Sequence, residues 1–423
     1  MFKGLKQIFS ARNKDIKNKI LFTLLILFIY KLGTAVRVPG TENITQDLGF
    51  LELLNVMGGG SLKNFSIFAL GVTPYISASI IVQLLQMDII PYFSNLAKEG
   101  YSGRTKLNKI TRYLGIALAF LQGLVMSFSF LGEAATSLEY LRVTLILTAG
   151  TCFLLWLGDE ITRKGVGNGI SILIMAGILI STPNMMVDAF GSFVVSGTTQ
   201  EVALGITKFI LFLLVYIAIV VGVVFIEKSE RRIPIQYSNR TTTAYGAKQT
   251  YIPFRLNSAG VMPVIFASSL ISIPSLIATF LKKDSFSLFV NSYINYNTVT
   301  GFILYILLII LFTYLYTFMA SGLRPKEVAE NINKQGGYVP GVRPGVETKN
   351  YISKVLSRTT FLGACFLVVI AGLPILVSNL SSLPTSVTVG GTGLLIVVGV
   401  ALETYNQIES SLSARKYERD YRR

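Results

Sequence analysis

A chain of 423 residues in which 52% are apolar and only 14% charged, with mean hydropathy +0.58, excludes an ordinary soluble domain and points to a membrane protein of several spans. Its formal charge of +16, from 38 Lys and Arg against 22 Asp and Glu, fits nucleic acid, anionic lipid or basic cytoplasmic loops until its distribution is known. The chain has no histidine, which excludes His-based acid–base catalysis, Ser–His nucleophiles and His metal sites.

The first nineteen residues, MFKGLKQIFSARNKDIKNK, are basic, with Phe2, Leu5, Ile8 and Phe9 near helical spacing. A signal peptide needs a small-residue cleavage site after its apolar region, and none follows. They read as a cytoplasmic amphipathic helix (1–19) leading into a first span at 20–38, which Lys31 interrupts. Further spans are expected near 65–87, 113–131, 143–158, 169–182, 206–227, 258–281, 300–321, 359–378 and 387–407, leaving a tail at 409–423. Ten spans put both termini on one side.

Taking that side as cytoplasmic, the N-terminal arm holds 6 Lys and Arg, the loops after spans two, four, six and eight hold 5, 2, 6 and 7, and the tail holds 5. The opposite face holds 7: Lys31, Arg37, Lys63, Arg142, Lys208, Lys282 and Lys283. This is a strong positive-inside asymmetry, and it accounts for most of the charge without nucleic acid. Two cytoplasmic loops exceed what topology needs. Residues 228–256 mix basic residues (Arg231, Arg232, Arg240, Lys248) with aromatic and turn-forming ones; residues 322–350 include GGYVPGVRPG, where Pro340, Pro344 and the glycines fix a turn presenting Arg343. Loops this long and structured usually carry function, here docking of a soluble partner. Cys152 and Cys365 lie in apolar runs and suggest no disulfide framework.

The stretch Gly58–Gln86, GGGSLKNFSIFALGVTPYISASIIVQLLQ, is ambiguous. It reads as one span kinked at Pro74, or as a glycine-hinged half-helix at Ser61–Leu70 set against a longer helix. A repeat favours the second reading. Gly71-Val-Thr-Pro-Tyr-Ile-Ser-Ala-Ser79 aligns without gaps on Gly260-Val-Met-Pro-Val-Ile-Phe-Ala-Ser268, with six of nine positions identical. Each copy lies in the second span of a five-span half (20–190 and 191–408), so the two run in opposite directions, as inverted-topology halves do. A weaker echo joins Gly167–Ile170 to Gly390–Gly393.

Inverted halves place function where they meet. A secondary transporter, ion- or proton-coupled, needs carboxylates or other polar ligands there, yet the acids lie in loops or near helix ends, with Asp88 and Glu403 nearest. The corresponding positions are apolar: Val72, Ile76 and Ile80 share one helix face, and so do Ile170 and Ile174 on span five. They fit ordinary helix packing or a hydrophobic constriction that closes by dewetting. No G-x-x-x-x-G-K-[ST] loop is present, so any energy for transport comes from outside the chain.

The segments FALGVTPYISASIIVQLLQ, EGYSGRTKLNKITRY, WLGDEITRKGVGNGISILI, NSAGVMPVIFASS, GGYVPGVRPG and GGTGLLIVV resemble the SecY/Sec61-alpha family of protein-conducting channel subunits. The resemblance runs from the N-terminal arm to span ten, departing in a short tail and a Lys- and Asn-rich surface. It implies an all-α fold of ten helices in two inverted halves around an hourglass pore in the plasma membrane, no catalytic residue, metal or cofactor, and both termini cytoplasmic. It implies a pore ring of Val72, Ile76, Ile170, Ile174, Ile265 and Ile396. It places a plug at about 58–70 (Gly59, Gly60, Ser61, Leu62, Lys63, Asn64, Phe65, Ser66, Ile67, Phe68, Ala69, Leu70), and a lateral gate between spans two/three and seven/eight with Gln83 and Asn257 as its polar residues. Implied partners are SecE-type and SecG-type small subunits, the SecA ATPase, the ribosome (with ribosomal RNA as the one nucleic acid left open), signal sequences, nascent polypeptides and the lipid bilayer.

Overall fold

A computed structural model describes residues 14–41, 52–86, 90–132, 136–194, 199–237, 250–281, 284–295, 298–319, 324–381 and 385–421. The arm before Lys14, Asp88, Arg240, Lys248, Lys282 and Lys283 lie outside these residues. The helices are α1 (Lys14–Ala35), α2 (Glu52–Met57), α3 (Thr73–Leu85), α4 (Pro91–Lys98), α5 (Tyr101–Leu131), α6 (Ser137–Lys164), α7 (Gly169–Phe193) and α8 (Thr199–Lys228). A hairpin of β1 (Glu230–Tyr237) and β2 (Thr250–Arg255) follows, then α9 (Met262–Leu281), α10 (Asp284–Phe289), α11 (Val299–Met319), α12 (Pro325–Lys334), β3 (Gly337–Tyr338), α13 (Val346–Ser381) and α14 (Thr385–Tyr421).

Among the described residues, seven helices are long and apolar enough to cross a membrane: α1, α5, α6, α7, α8, α11 and α13. Two shorter apolar helices accompany them, α3 and the Met262–Ser275 part of α9. The chain is thus mostly helical and multi-pass. Several helices outrun the spans expected for them, because an apolar window marks bilayer width whereas helical hydrogen bonding continues through helix-tolerant polar residues. α5 starts at Tyr101, so the basic segment before Tyr113 is helical; α7 continues past Pro183 to Phe193; and α14 runs unbroken through residue 408 to Tyr421. At 36 residues α13 is about 54 Å long, well beyond a core of about 30 Å.

Local chemistry sets the helix starts. Asn168 caps α7, its Oδ1 accepting from the N–H groups of Ile170 (3.1 Å) and Ser171 (3.4 Å). Thr136 and Glu139 form a capping box on α6. α3 begins after Gly71, in the left-handed region at φ +57°, with Pro74 in its first turn where no N–H is needed. Pro74 therefore starts a helix rather than kinking one.

The half-helix expected at Ser61–Leu70 is not there. The helical piece is α2, before the glycines, and residues 58–72 run as successive turns. Gly59 and Gly60 at φ +72° and +79° end α2, with the Gly60 N–H donating to the Asn55 carbonyl at 2.8 Å.

The two long polar loops, after α8 and after α11, fold together. β1 pairs antiparallel with β2 (Ile233 opposite Ile252) and with β3 (Tyr237 opposite Gly337), giving sheet order β2-β1-β3. Ile233, Ile235 and Phe254 face Val328 and Ile332 of α12, Val339, and Ile352 and Leu356 at the start of α13. The part of α13 that exceeds the bilayer thus helps build this small core.

Candidate functional site

Val72, Ile76, Ile174, Ile265 and Ile396 come from the start of α3, α3 itself, α7, α9 and α14, and all five are buried in one apolar cluster. Ile170 differs. It sits in the first turn of α7, half-buried against that cluster, where a Cβ on Gly158 of α6 would come within 3.0 Å of its side chain. Ile80, Ile172, Ile178 and Val261 share the cluster. Among the described residues Glu160 is the one buried charged side chain, and it pairs with Lys164 at 2.7 Å near the end of α6. Nothing in the ring can hold an ion, a metal or a polar substrate.

Side chains of the turns at 58–70 enter two apolar clusters. Phe68 belongs to the ring cluster, its ring stacked between Tyr30 and Phe153 at 6.1 Å from each. Leu62, Phe65, Ala69 and Leu70 enter a second cluster with Val38, Met126, Phe130, Val143 and Leu147. Gly59, Ser61 and Ser66 are buried, Gly60 and Ile67 half-buried, while Lys63 and Asn64 are exposed. Two backbone hydrogen bonds of 3.0 Å, Val38 N–H to the Phe65 carbonyl and Ile67 N–H to the Val36 carbonyl, tie the segment to the chain leaving α1. The Asn55 side chain accepts from the Lys63 N–H at 2.9 Å.

This segment also stores strain. Phe65 has φ +42°, a region bulky side chains avoid, at a cost on the order of 1–3 kcal/mol. Its ring, 4.8 Å from that of Phe130 and 1% exposed, supplies packing that holds it there. The hydroxyls of Ser61 and Ser66 are buried without a protein partner. Sequence reasoning missed the residues beneath: Gly33, Gly150 and Gly177, where α1, α6 and α7 expose bare backbone to the segment. Their one signal is a glycine inside an apolar helical pattern, which marks close approach.

Between α3 on one side and α9 and α11 on the other lies a narrow cleft of about 20 Å³, lined by Ile80, Gln83, Leu84, Phe266, Phe312, Leu315 and Tyr316. Gln83 is its polar residue, half-buried, with Nε2 donating to the Ser79 hydroxyl at 3.1 Å. Asn257 lies elsewhere, on the link from β2 to α9. It is 2% exposed, and its Nδ2 donates to Glu227 at the end of α8 (2.6 Å) and to the Gly260 carbonyl (3.0 Å). Of the two polar residues expected at the gate, Gln83 lines the cleft and Asn257 is not among its lining residues. Asn257 braces a helix end, and Glu227, unforeseen from sequence, is its partner.

On the three-stranded sheet Arg231 and Arg232 are exposed. Arg232 is fixed by Glu230, Nε to carboxylate 2.7 Å, and lies 4.7 Å from the centre of the Tyr251 ring. That hydrogen bond raises its basicity further, so its charge is constant at any working pH. Arg343 is exposed on a turn whose flanking Gly341 and Gly345 take φ +79° and +100°, and its carbonyl accepts from the Thr348 hydroxyl at 2.8 Å. The backbone is fixed and the guanidinium left free to reach outward.

Comparison with known proteins agrees with this geometry. The SecY family profile matches residues 66–405. The chain is 46% identical over 420 residues to the Protein translocase subunit SecY of Staphylococcus aureus (strain NCTC 8325 / PS 47), covering 96% of this chain and 97% of that one. Its fold is similar to the solved "structure of a protein conducting channel" (TM-score 0.67, 18% identity) and to "Sec61 in the Canine ribosome-channel complex from the endoplasmic reticulum" (0.64, 18%), each covering 93% of this chain and 92% of the other. It is likewise similar to a structure described as "The plug domain of the SecY protein stablizes the closed state of the translocation channel and maintains a membrane seal" (TM-score 0.65, 19% identity, coverage 93% and 92%). The chain belongs to the SecY family and is a protein-translocation channel.

Proposed function

We propose that this channel passes unfolded secretory polypeptides across the plasma membrane and releases hydrophobic segments sideways into lipid. Val72, Ile76, Ile170, Ile174, Ile265 and Ile396 form the constriction, residues 58–70 plug it, and the cleft beside Gln83 is the lateral gate. The observation that carries this reading is that apolar side chains from α3, α7, α9 and α14, together with Phe68 of the turn segment, belong to one buried hydrophobic cluster. Apolar residues that bind nothing tightly suit a pore that must accept any sequence. A signal sequence leaving through the gate is driven by partition, about 0.3–0.6 kcal/mol per Leu or Ile, so ten such residues decide the outcome.

The same reading counts α3, α9 and α14 with the seven long helices as ten spans, in inverted halves at 20–190 and 191–408, with both termini cytoplasmic. Lys and Arg asymmetry supports that orientation. Exposed Arg231, Arg232 and Arg343 form the docking face for a SecA-type ATPase and the ribosome, Arg240 and Lys248 lying outside the described residues; the ribosome-bound Sec61 structure supports the latter partner. α8 leaves Leu204, Ile210, Leu214, Ile217, Val221 and Phe225 exposed, a flank suited to SecE- and SecG-type membrane subunits. No observation favours catalysis by the chain, and a coupled transporter lacks the ligands it needs.

The test is to place carboxylates in the ring. Ile76→Asp and Ile170→Asp should each raise resting ion conductance in proteoliposomes by on the order of tenfold or more, because a wetted charge prevents dewetting. Unchanged conductance and unchanged export in both variants would falsify the hydrophobic ring.

A further inference from the structure

We infer that Gly33, Gly150 and Gly177 are positioning residues for the seal: three helix glycines form the seat that holds residues 57–68 in the closed channel. The inference rests on reading residues 58–70 as the plug, and the experiment below separates the two. Each glycine lies on a different helix and meets a different point of the segment. A Cβ on Gly150 of α6 would overlap the Ile67 carbonyl, one on Gly177 of α7 the Met57 carbonyl, and one on Gly33 of α1 the Phe68 ring. Gly59 of the segment in turn lies against the Gly177 Cα. The fourth side is closed by the hydrogen bonds to Val36 and Val38.

Glycine in a helix interior is unfavourable relative to alanine, so Gly150 and Gly177 against one segment need a reason beyond the helices themselves, and Gly33 in the last turn of α1 meets the same segment. Close approach supplies it. Gly191 of α7 has no atom within 4 Å of an added Cβ, so the helix that carries Gly177 does not demand glycine throughout for its own shape. At Gly150 and Gly177 the obstacle is a backbone carbonyl, which cannot turn aside as a side chain can. An alanine there moves the segment as a whole. At Gly33 the obstacle is an aromatic ring, and shrinking that ring restores room.

The seat also explains how a strained segment persists. Phe65 at φ +42° and the unpartnered Ser61 and Ser66 hydroxyls all favour departure, and shape complementarity at the three glycines opposes it. Small losses of fit therefore shift the closed state measurably.

The test uses the protein with its co-purifying subunits in proteoliposomes. Cys152 and Cys365 are replaced by Ser, and Ser61→Cys, fully buried in the closed state, serves as reporter. Reaction with a membrane-impermeant maleimide should be at least about tenfold faster in Gly150→Ala and Gly177→Ala, as overpacking of this kind delivers, and unchanged in Gly191→Ala. Gly33→Ala should react faster too, and Phe68→Leu should reverse that in the double variant. Alanine favours helix, so these variants retain their spans; if one fails to insert, the Gly33→Ala/Phe68→Leu pair decides. Unchanged labelling in inserted Gly150→Ala and Gly177→Ala proteins, or a Gly33→Ala effect that Phe68→Leu leaves standing, overturns the seat. Deleting residues 61–68 tells the readings apart. A deletion that leaks while the glycine variants stay shut removes the seat alone, and a deletion that does not leak removes the plug with it.

Discussion

Gly71–Ser79 and Gly260–Ser268 carry the same motif and start their helices in the same way. Both glycines are left-handed, at φ +57° and +61°. In each copy the valine carbonyl accepts from the N–H groups three and four residues on: Tyr75 and Ile76 onto Val72, Val264 and Ile265 onto Val261, all between 3.1 and 3.3 Å. Each proline sits in a first turn, and each isoleucine is buried in the ring. What differs is the chain on the other side of the glycine. Before Gly71 come the strained turns at 58–70; before Gly260 come β2 and Asn257, bound to Glu227. The motif fixes a helix start and one buried isoleucine, and the segment joined to it decides whether the copy meets the turn segment or the sheet.

Damage to the two flanks should therefore produce different defects. The largest effect is expected from Arg343→Glu, which should abolish ATPase-driven export of a secretory precursor while resting conductance and melting stay unchanged; normal motor binding and export would break the assignment. Next, a disulfide between cysteines at Gln83 and Phe266, which line opposite walls of the cleft, should reduce signal-sequence entry severalfold, reversibly on reduction. Undiminished export in the crosslinked protein would mean that the two copies need not part. The smallest effect should be shared: Gly71→Ala and Gly260→Ala each cost about 1–2 kcal/mol for forcing a Cβ into the left-handed region, seen as similar drops in melting temperature. A clear inequality would show that one hinge is held by its flank rather than by its own geometry.

Much of this was legible in the sequence. Hydropathy located the apolar runs, and the repeat identified Gly71, Pro74 and Ile76 with Gly260, Pro263 and Ile265 as equivalent points, which the backbone bears out. Helix ends were less legible because residues such as Arg104, Lys106 and Lys109 tolerate helix and carry α5 beyond its apolar window. Ser61–Leu70 looked helical because its composition is apolar, but Gly59, Gly60 and the pairing of Phe65 and Ile67 with Val36 and Val38 win over propensity. That pairing is long-range, and no local pattern announces it. The three-stranded sheet escaped for the same reason: β1 alternates over Ile233 and Ile235, yet its partner β3 is about a hundred residues away in the sequence.

The hairpin has a mechanical consequence. One residue, Ser229, separates α8 from β1, and its carbonyl accepts from the Leu256 N–H at 2.9 Å just past β2, so the base of the hairpin is clamped and cannot swivel. Eight residues of β1 make an arm of about 26 Å. The described strands are thus joined by one residue to α8 and, four residues beyond the clamp at Gly260, to α9, whose Phe266 forms one wall of the cleft, so a displacement of the sheet acts on both helices.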